Sequence, residues 1–303
     1  MKTVKLEPKL NKEEIDKLEG TFLNETHFDT VITEDTKVLK ENGEPLLVFK
    51  KNCIPANVCE QAYYSLRKAI GKTSNRAIAG GPIDAKVGDV IDGQVIGKLV
   101  GGNKYIPLKK DGTLSNTAKG KNVNSSIIGY ADRYARIPYC RTTEFTYRHF
   151  DTYKKAIPYI KSISDLFKEF LPERYNNQLE YHEKTSKDFK IADTVFTTVT
   201  VNKNFRTASH YDKGDLATGF GNLTVLQTGE YEGAYTVIPK YRVAVDVRNC
   251  DLALFDVHEL HGNTETYSSK PYERISIICY FREKMVQCGT YEEELQRIKH
   301  VRS

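Results

Sequence analysis

The sequence predicts a mainly β protein with helical additions, an α+β chain built around a double-stranded β-helix, the jelly-roll (cupin-like) barrel. Three observations predict it. From residue 194 onward, six short alternating or wholly apolar runs follow one another at 195–201, 223–227, 235–238, 243–247, 252–255 and 275–281. The connections between them are short, which favours antiparallel pairing, and such a set buries its apolar faces only in a closed or two-sheet architecture. A chain of 303 residues is long enough for one large core of this kind with helices added to it.

Upstream of these runs the elements are read in order. Residues 1–37 are polar, with few apolar anchors, and are expected to form a loosely attached extension with a helix around 11–18. A single domain is expected over 38–290. It opens with a hairpin, Lys37-Val38-Leu39-Lys40 and Pro45-Leu46-Leu47-Val48-Phe49 about an Asn42-Gly43 turn. After Pro55, residues 58–70 show amphipathic helical spacing. The stretch 74–124 is broken by nine glycines and reads as a long insertion of hairpins and loops, suited to a lid or a substrate surface. Its Lys98, Lys104, Lys109, Lys110, Lys119 and Lys121 could settle on phosphates, although from charge alone a solvated loop is the better account of them. Residues 153–171 place Ile157, Ile160, Ile163, Leu166, Phe167 and Phe170 at helical spacing, ended by Pro172, which is a core stripe. Residues 291–303 form a charged C-terminal tail or short helix.

Composition narrows the class. Hydrophobic content of 39% and charged content of 28% are ordinary for a globular domain. No apolar run approaches the length of a membrane span, and the first residues lead into charges rather than a signal core, so an intracellular protein, cytoplasmic or nuclear, is expected. The six cysteines lack any C-x-x-C pair, which favours free thiols over disulfides or a zinc site. A formal net charge of +5 permits a polyanionic partner without requiring one.

The chemistry concentrates between residues 206 and 274. In His210-Tyr211-Asp212 the first and third residues share one face of an extended strand, so an imidazole and a carboxylate can grip one metal. A second imidazole must come from a distant strand. His261 qualifies, following the Asp251 turn and the run 252–255, and Gly262 allows close backbone approach. His258 is its rival. Two imidazoles and a carboxylate form the facial triad of non-haem Fe(II) oxygenases, which leaves adjacent positions for a bidentate keto acid and dioxygen. Arg274 opens the run 275–281, from which its guanidinium can hold the distal carboxylate of 2-oxoglutarate by two hydrogen bonds.

With these residues in view, the sequence resembles the TET/JBP family of Fe(II)- and 2-oxoglutarate-dependent dioxygenases, which oxidise the 5-methyl group of pyrimidines in nucleic acid. The resemblance covers about residues 195–285. It is carried by Val201-Asn202-Lys203-Asn204, His210 through Leu216, Gly219-Phe220-Gly221-Asn222, Tyr231-Glu232-Gly233 with Pro239, and Asp251 through Asn263. It implies that His210, Asp212 and His261 bind iron, that Arg274 anchors 2-oxoglutarate, and that dioxygen is the co-substrate, with ascorbate a candidate reductant. It places Asp215 against a flipped target base in DNA, where a carboxylate would accept from the exocyclic amine of cytosine; this favours 5-methylcytosine, with thymine the alternative. Arg282 stands where several relatives have a base-contacting histidine, a departure that leaves the target base open. Asn202 and Arg76 are further candidates for co-substrate or target, and Tyr105, Tyr130, Tyr134 and Phe220 are candidate stackers. An oxygenase of the same fold acting on a protein or small molecule, and a non-catalytic jelly-roll module, are the competing readings.

Overall fold

The computed structural model of the protein describes residues 1–76 and 78–302. Two β-sheets face one another. The larger, ten-stranded among the described residues, runs in the order Lys2–Lys5, Thr36–Leu39, Pro45–Lys50, Leu252–Phe255, Gly221–Thr228, Glu273–Tyr280, Thr198–Lys203, Val123–Ala131 and Arg141–Thr142, with Lys72–Thr73 added on Val123–Ala131. The smaller pairs Gly262–Asn263, Thr236–Ile238, Val243–Val245 and Thr30–Ile32.

Both faces of the large sheet are covered, and Leu252–Phe255, one of its inner strands, is apolar and buried at every residue for that reason. In Leu252–Phe255, Leu252 and Leu254 pack toward the helices while Ala253 and Phe255 pack toward the small sheet. The helix Ile157–Phe170 lays Tyr159, Ile160, Ile163 and Phe167 on the outer face, each fully buried. Pro172 ends that helix and, in the first turn of the next, starts Pro172–Lys184, a helix too polar to announce itself by periodicity. Between the sheets, Leu47, Phe49, Leu223 and Val225 meet Ile32, Ile238, Val243 and Val245.

The hairpin about Gly43 forms as its sequence predicts, with Gly43 at φ +86° and its amide donating to Lys40 O. The glycine-rich insertion folds into a three-stranded meander, Val90–Ile91, Gln94–Val100 and Lys104–Pro107. The first 37 residues are far from loosely attached. Lys2–Lys5 pairs in parallel with Thr36–Leu39, and Thr30–Ile32 pairs in parallel with Val243–Val245. Between them Ile15 and Leu23 are buried apolar anchors. The C-terminal helix Tyr291–Arg302 is tied down as well. Buried Glu294 accepts hydrogen bonds from the Cys140 and Gly289 amides and pairs with Arg133.

The expectation of free thiols is corrected at one pair. Cys140 and Cys288 form a disulfide across 148 residues of sequence, while Cys53, Cys59, Cys250 and Cys279 are free. A pairing between residues so far apart has no local spacing to betray it; only the fold brings their Cα atoms to 5.7 Å. Among the described residues no helix is long and apolar enough to cross a membrane.

Candidate metal and co-substrate site

His210 and His261 face one another as an antiparallel backbone pair: the His210 amide donates to His261 O at 2.9 Å and the His261 amide donates to His210 O at 3.1 Å. Gly262 makes the approach possible. A Cβ there would lie 2.9 Å from the Ser209 amide nitrogen and 3.0 Å from Thr207 O. Asp212 completes the set, with Oδ1 3.3 Å from His210 Nε2 and Oδ2 3.6 Å from His261 Nε2. The three ligand atoms all lie within 4.8 Å of one another, which makes this the metal-competent cluster of His, Cys, Asp and Glu among the described residues.

The imidazoles are prepared on their far sides. His210 Nδ1 lies 2.9 Å from Ala208 O and His261 Nδ1 lies 3.0 Å from Glu259 O. A ring that donates through Nδ1 to a carbonyl keeps the proton there and leaves the Nε2 lone pair free for a cation. Electrostatics favour the same state at His261 only; at His210 burial opposes the charged ring, but the hydrogen bond and charge of Asp212 outweigh it and raise the pKa. Burial pushes His261 down to about 4, and His210 beside it acts in the same direction. At Asp212 burial opposes ionisation, but the hydrogen bond and charge of His210 overcome it and hold the carboxyl below the usual range. His258 stands apart. Its Nδ1 lies 3.1 Å from Asp256 Oδ1, and Asp256 in turn pairs with Lys40.

The cluster opens into a cavity of about 320 Å³ between the two sheets. Strand Glu273–Tyr280 lines it on alternate residues: Arg274, Ser276, Ile278 and Tyr280 all face inward, and Arg282 continues the period past the strand end. This period-two run was legible in the sequence beyond Arg274, although Ser276 and Tyr280 escaped notice there. Thr200 and Asn202 face in from the neighbouring strand. Arg274 is only 3% exposed, and its Nε and Nη2 have no hydrogen-bond partner; the nearby Asn202 Oδ1 has none either. Glu273, the adjacent carboxylate, points to the opposite face, where it takes Lys203 and the Tyr63 hydroxyl. A buried guanidinium with two idle nitrogens is costly unless an anion completes it, so the donor set fits a dicarboxylate reaching from the metal ligands to Arg274.

The remaining candidates also gather here. Asp215 and Arg282 line the cavity and form a backbone bridge. Burial, then the Asp212 charge, push the Asp215 carboxyl well above the usual range. Arg282 Nε donates to Asp132 Oδ1 at 2.7 Å, an anchor that no local motif marks because 150 residues separate the two. Arg76 donates to Ser125 Oγ at 3.1 Å and to Thr200 Oγ1 at 3.2 Å. Of the four candidate stackers, Tyr105 and Phe220 are buried in the core and Tyr130 packs on Phe189, whereas Tyr134 is 47% exposed. Among the described residues the insertion's lysines stay outside the cavity, which that segment reaches through Arg76, Ile78 and Ala79.

Residues 126–283, over half the chain, match the model of the TET/JBP family, described as the oxygenase domain of the 2OGFeDO superfamily. The chain belongs to this family. Among its relatives, thymine dioxygenase JBP1 of Trypanosoma brucei brucei is 36% identical over 186 residues, 59% of this chain and 22% of that protein. The bifunctional helicase and thymine dioxygenase JBP2 of Leishmania tarentolae is 34% identical over 189 residues, 61% of this chain and 16% of that protein. The JBP2 of Trypanosoma brucei brucei (strain 927/4 GUTat10.1) is 29% identical over 285 residues, which extends the likeness to 92% of this chain and 22% of that protein. The chain thus spans about a fifth of the length of these curated relatives. In solved structures, NgTET1 in complex with 5mC DNA superposes with a TM-score of 0.55 at 12% identity, covering 96% of this chain and all of that one, and shows the TET/JBP chain to share its fold.

Proposed function

We propose that this chain is an Fe(II)- and 2-oxoglutarate-dependent dioxygenase that hydroxylates the 5-methyl group of a pyrimidine in DNA, with thymine the preferred base. The observation that carries the reading is the pairing, in one cavity, of a two-histidine, one-carboxylate cluster with the idle guanidinium of Arg274. His210, Asp212 and His261 hold Fe(II), and Arg274 takes the distal carboxylate of 2-oxoglutarate, assisted by Asn202. The bound metal and keto acid supply the activation of dioxygen that removes a methyl hydrogen. The chain's own residues do the rest: the Nδ1 contacts fix the ligand rings, and Arg274 sets the co-substrate's direction.

The choice of base turns on Asp215 and Arg282. An ionised Asp215 would accept from the amine of 5-methylcytosine and repel the carbonyl of thymine. Burial and then the Asp212 charge push the Asp215 carboxyl up, which favours its protonated form, and a protonated carboxyl would serve either edge, as donor and acceptor together. Arg282, oriented by Asp132, is a donor only. A donor beside the 4-position suits the thymine carbonyl and opposes the cytosine amine, in keeping with the thymine dioxygenases among the relatives. To present its methyl group, the base must leave the duplex stack, at a cost of a few kcal/mol that pocket hydrogen bonds offset.

The test is mass spectrometry of nucleosides from thymine-containing and 5-methylcytosine-containing duplexes after incubation with Fe(II), 2-oxoglutarate and ascorbate. The expected product is 5-hydroxymethyluracil. Faster oxidation of 5-methylcytosine would overturn the assignment of the base. Succinate formation with free nucleoside or peptide, and no oxidised base in DNA, would move the activity to a small-molecule or protein substrate.

A further inference from the structure

A second groove, of about 470 Å³, runs beside the cavity and shares Arg76, Tyr280 and Arg282 with it. Its outer wall is a tight turn at residues 134–137, closed by reciprocal Tyr134 and Ile137 backbone hydrogen bonds of 2.9 Å. That turn lifts Tyr134 and Arg136 into solvent, and Arg136 has no carboxylate partner among the described residues. Arg141 lies across the Tyr134 ring, its guanidinium carbon 5.2 Å from the centroid, and donates to Asp132 O at 3.1 Å. Four guanidiniums thus line the groove, against one carboxylate, Asp132, which is 6% exposed and engaged by Arg282.

We propose that this groove carries the DNA strand flanking the target base, with Arg136 and Arg141 on its phosphates and Tyr134 stacked on a neighbouring base. The inference rests on the DNA reading above and names the surface through which that substrate is held. Three features point to a nucleic-acid strand. The charge is of one sign and spaced along a groove, as a phosphodiester chain requires. An exposed aromatic ring is braced from behind by a guanidinium, which holds its outer face ready for a base. The groove also opens into the cavity at Arg282, so a strand lying in it delivers its next base toward the metal ligands.

The experiment is fluorescence anisotropy with a labelled thymine-containing duplex, titrated at several salt concentrations without iron or 2-oxoglutarate. Wild type is compared with Arg136→Ala, Tyr134→Ala and, as a control on an exposed helix pair, Lys161→Ala. Arg136 and Tyr134 are both exposed, so neither substitution removes core packing. Arg136→Ala should lower the slope of log affinity against log salt by about 0.9, the loss of one phosphate contact. Tyr134→Ala should bind about fivefold or more weakly with an unchanged slope, the loss of one stacked base. Lys161→Ala should match wild type. If wild type binds DNA and both groove variants bind it equally well, the groove assignment is wrong while the DNA reading stands. No binding by wild type would remove both, and displacement of the duplex by poly-glutamate at equal charge concentration would make the groove an acidic-peptide site instead.

Discussion

On the proposed reading a single imidazole decides whether the cavity can hold iron, and two histidines lie close enough in sequence to be confused. His261 points its Nε2 at Asp212, whereas His258 is engaged with Asp256. His261→Ala should therefore lower Fe(II) affinity, read by anaerobic titration, by about 100-fold or more, and His258→Ala should leave it within about threefold. The difference reflects removal of a ligand rather than of an outer contact, for which 10–100-fold losses are typical. Retained affinity in His261→Ala would overturn the ligand set. Arg274 poses the same kind of question for the co-substrate. Replacing it with Lys keeps the charge but loses the planar two-point grip, so the 2-oxoglutarate KM should rise about tenfold or more while iron binding stays unchanged. An unaltered KM would place the anchor elsewhere.

At the scale of elements, the polar helix Pro172–Lys184 packs a half-buried titratable group, His182, against the core. His182 packs edge-on to Phe281, its Nε2 is buried without a partner, and burial, aided by Lys190, lowers its pKa from 6.5 to about 4. The folded state thus holds a neutral ring where the unfolded chain would take up a proton. The stability so contributed is present above pH 6.5 and is lost as pH falls toward 4, with a slope of at most about 1.4 kcal/mol per pH unit. Melting temperatures measured between pH 7 and 5 should fall more steeply for wild type than for His182→Gln. Parallel curves would show that His182 titrates normally in the fold.

Across the whole molecule, the N-terminal segment ties both sheets to the metal site. It adds a strand to each sheet, and between them the Gly20 amide donates to Ser209 O at 2.7 Å while the Ser209 amide donates to Thr21 O at 2.8 Å. Ser209 immediately precedes His210, so the segment braces the ligand strand from behind. Deleting residues 1–29 should lower the melting temperature by about 5 °C or more, since burying the Ile15 and Leu23 side chains alone contributes about 3–6 kcal/mol. Iron affinity should fall with it. A truncated protein with the melting temperature and iron affinity of the full chain would show the segment to be dispensable.

How far the sequence alone reached follows from these same residues. Local patterns predicted the strands, the hairpin at Gly43 and the core helix Ile157–Phe170, and they singled out His210, Asp212, His261 and Arg274 as the candidate set that one cavity brings together, because each depends on a period of two or 3.6 or on the close approach that Gly262 permits. Other features depended on which distant segments meet. The Asp132 anchor of Arg282, the Cys140–Cys288 bond and the pairing of Thr30–Ile32 with Val243–Val245 all join residues that no local spacing links. The upward shift of the Asp215 carboxyl belongs with them. Its carboxyl is an acid like any other in the sequence, and only burial beside Asp212 raises its pKa, since desolvation and a neighbouring like charge are properties of a place in the fold rather than of a residue type.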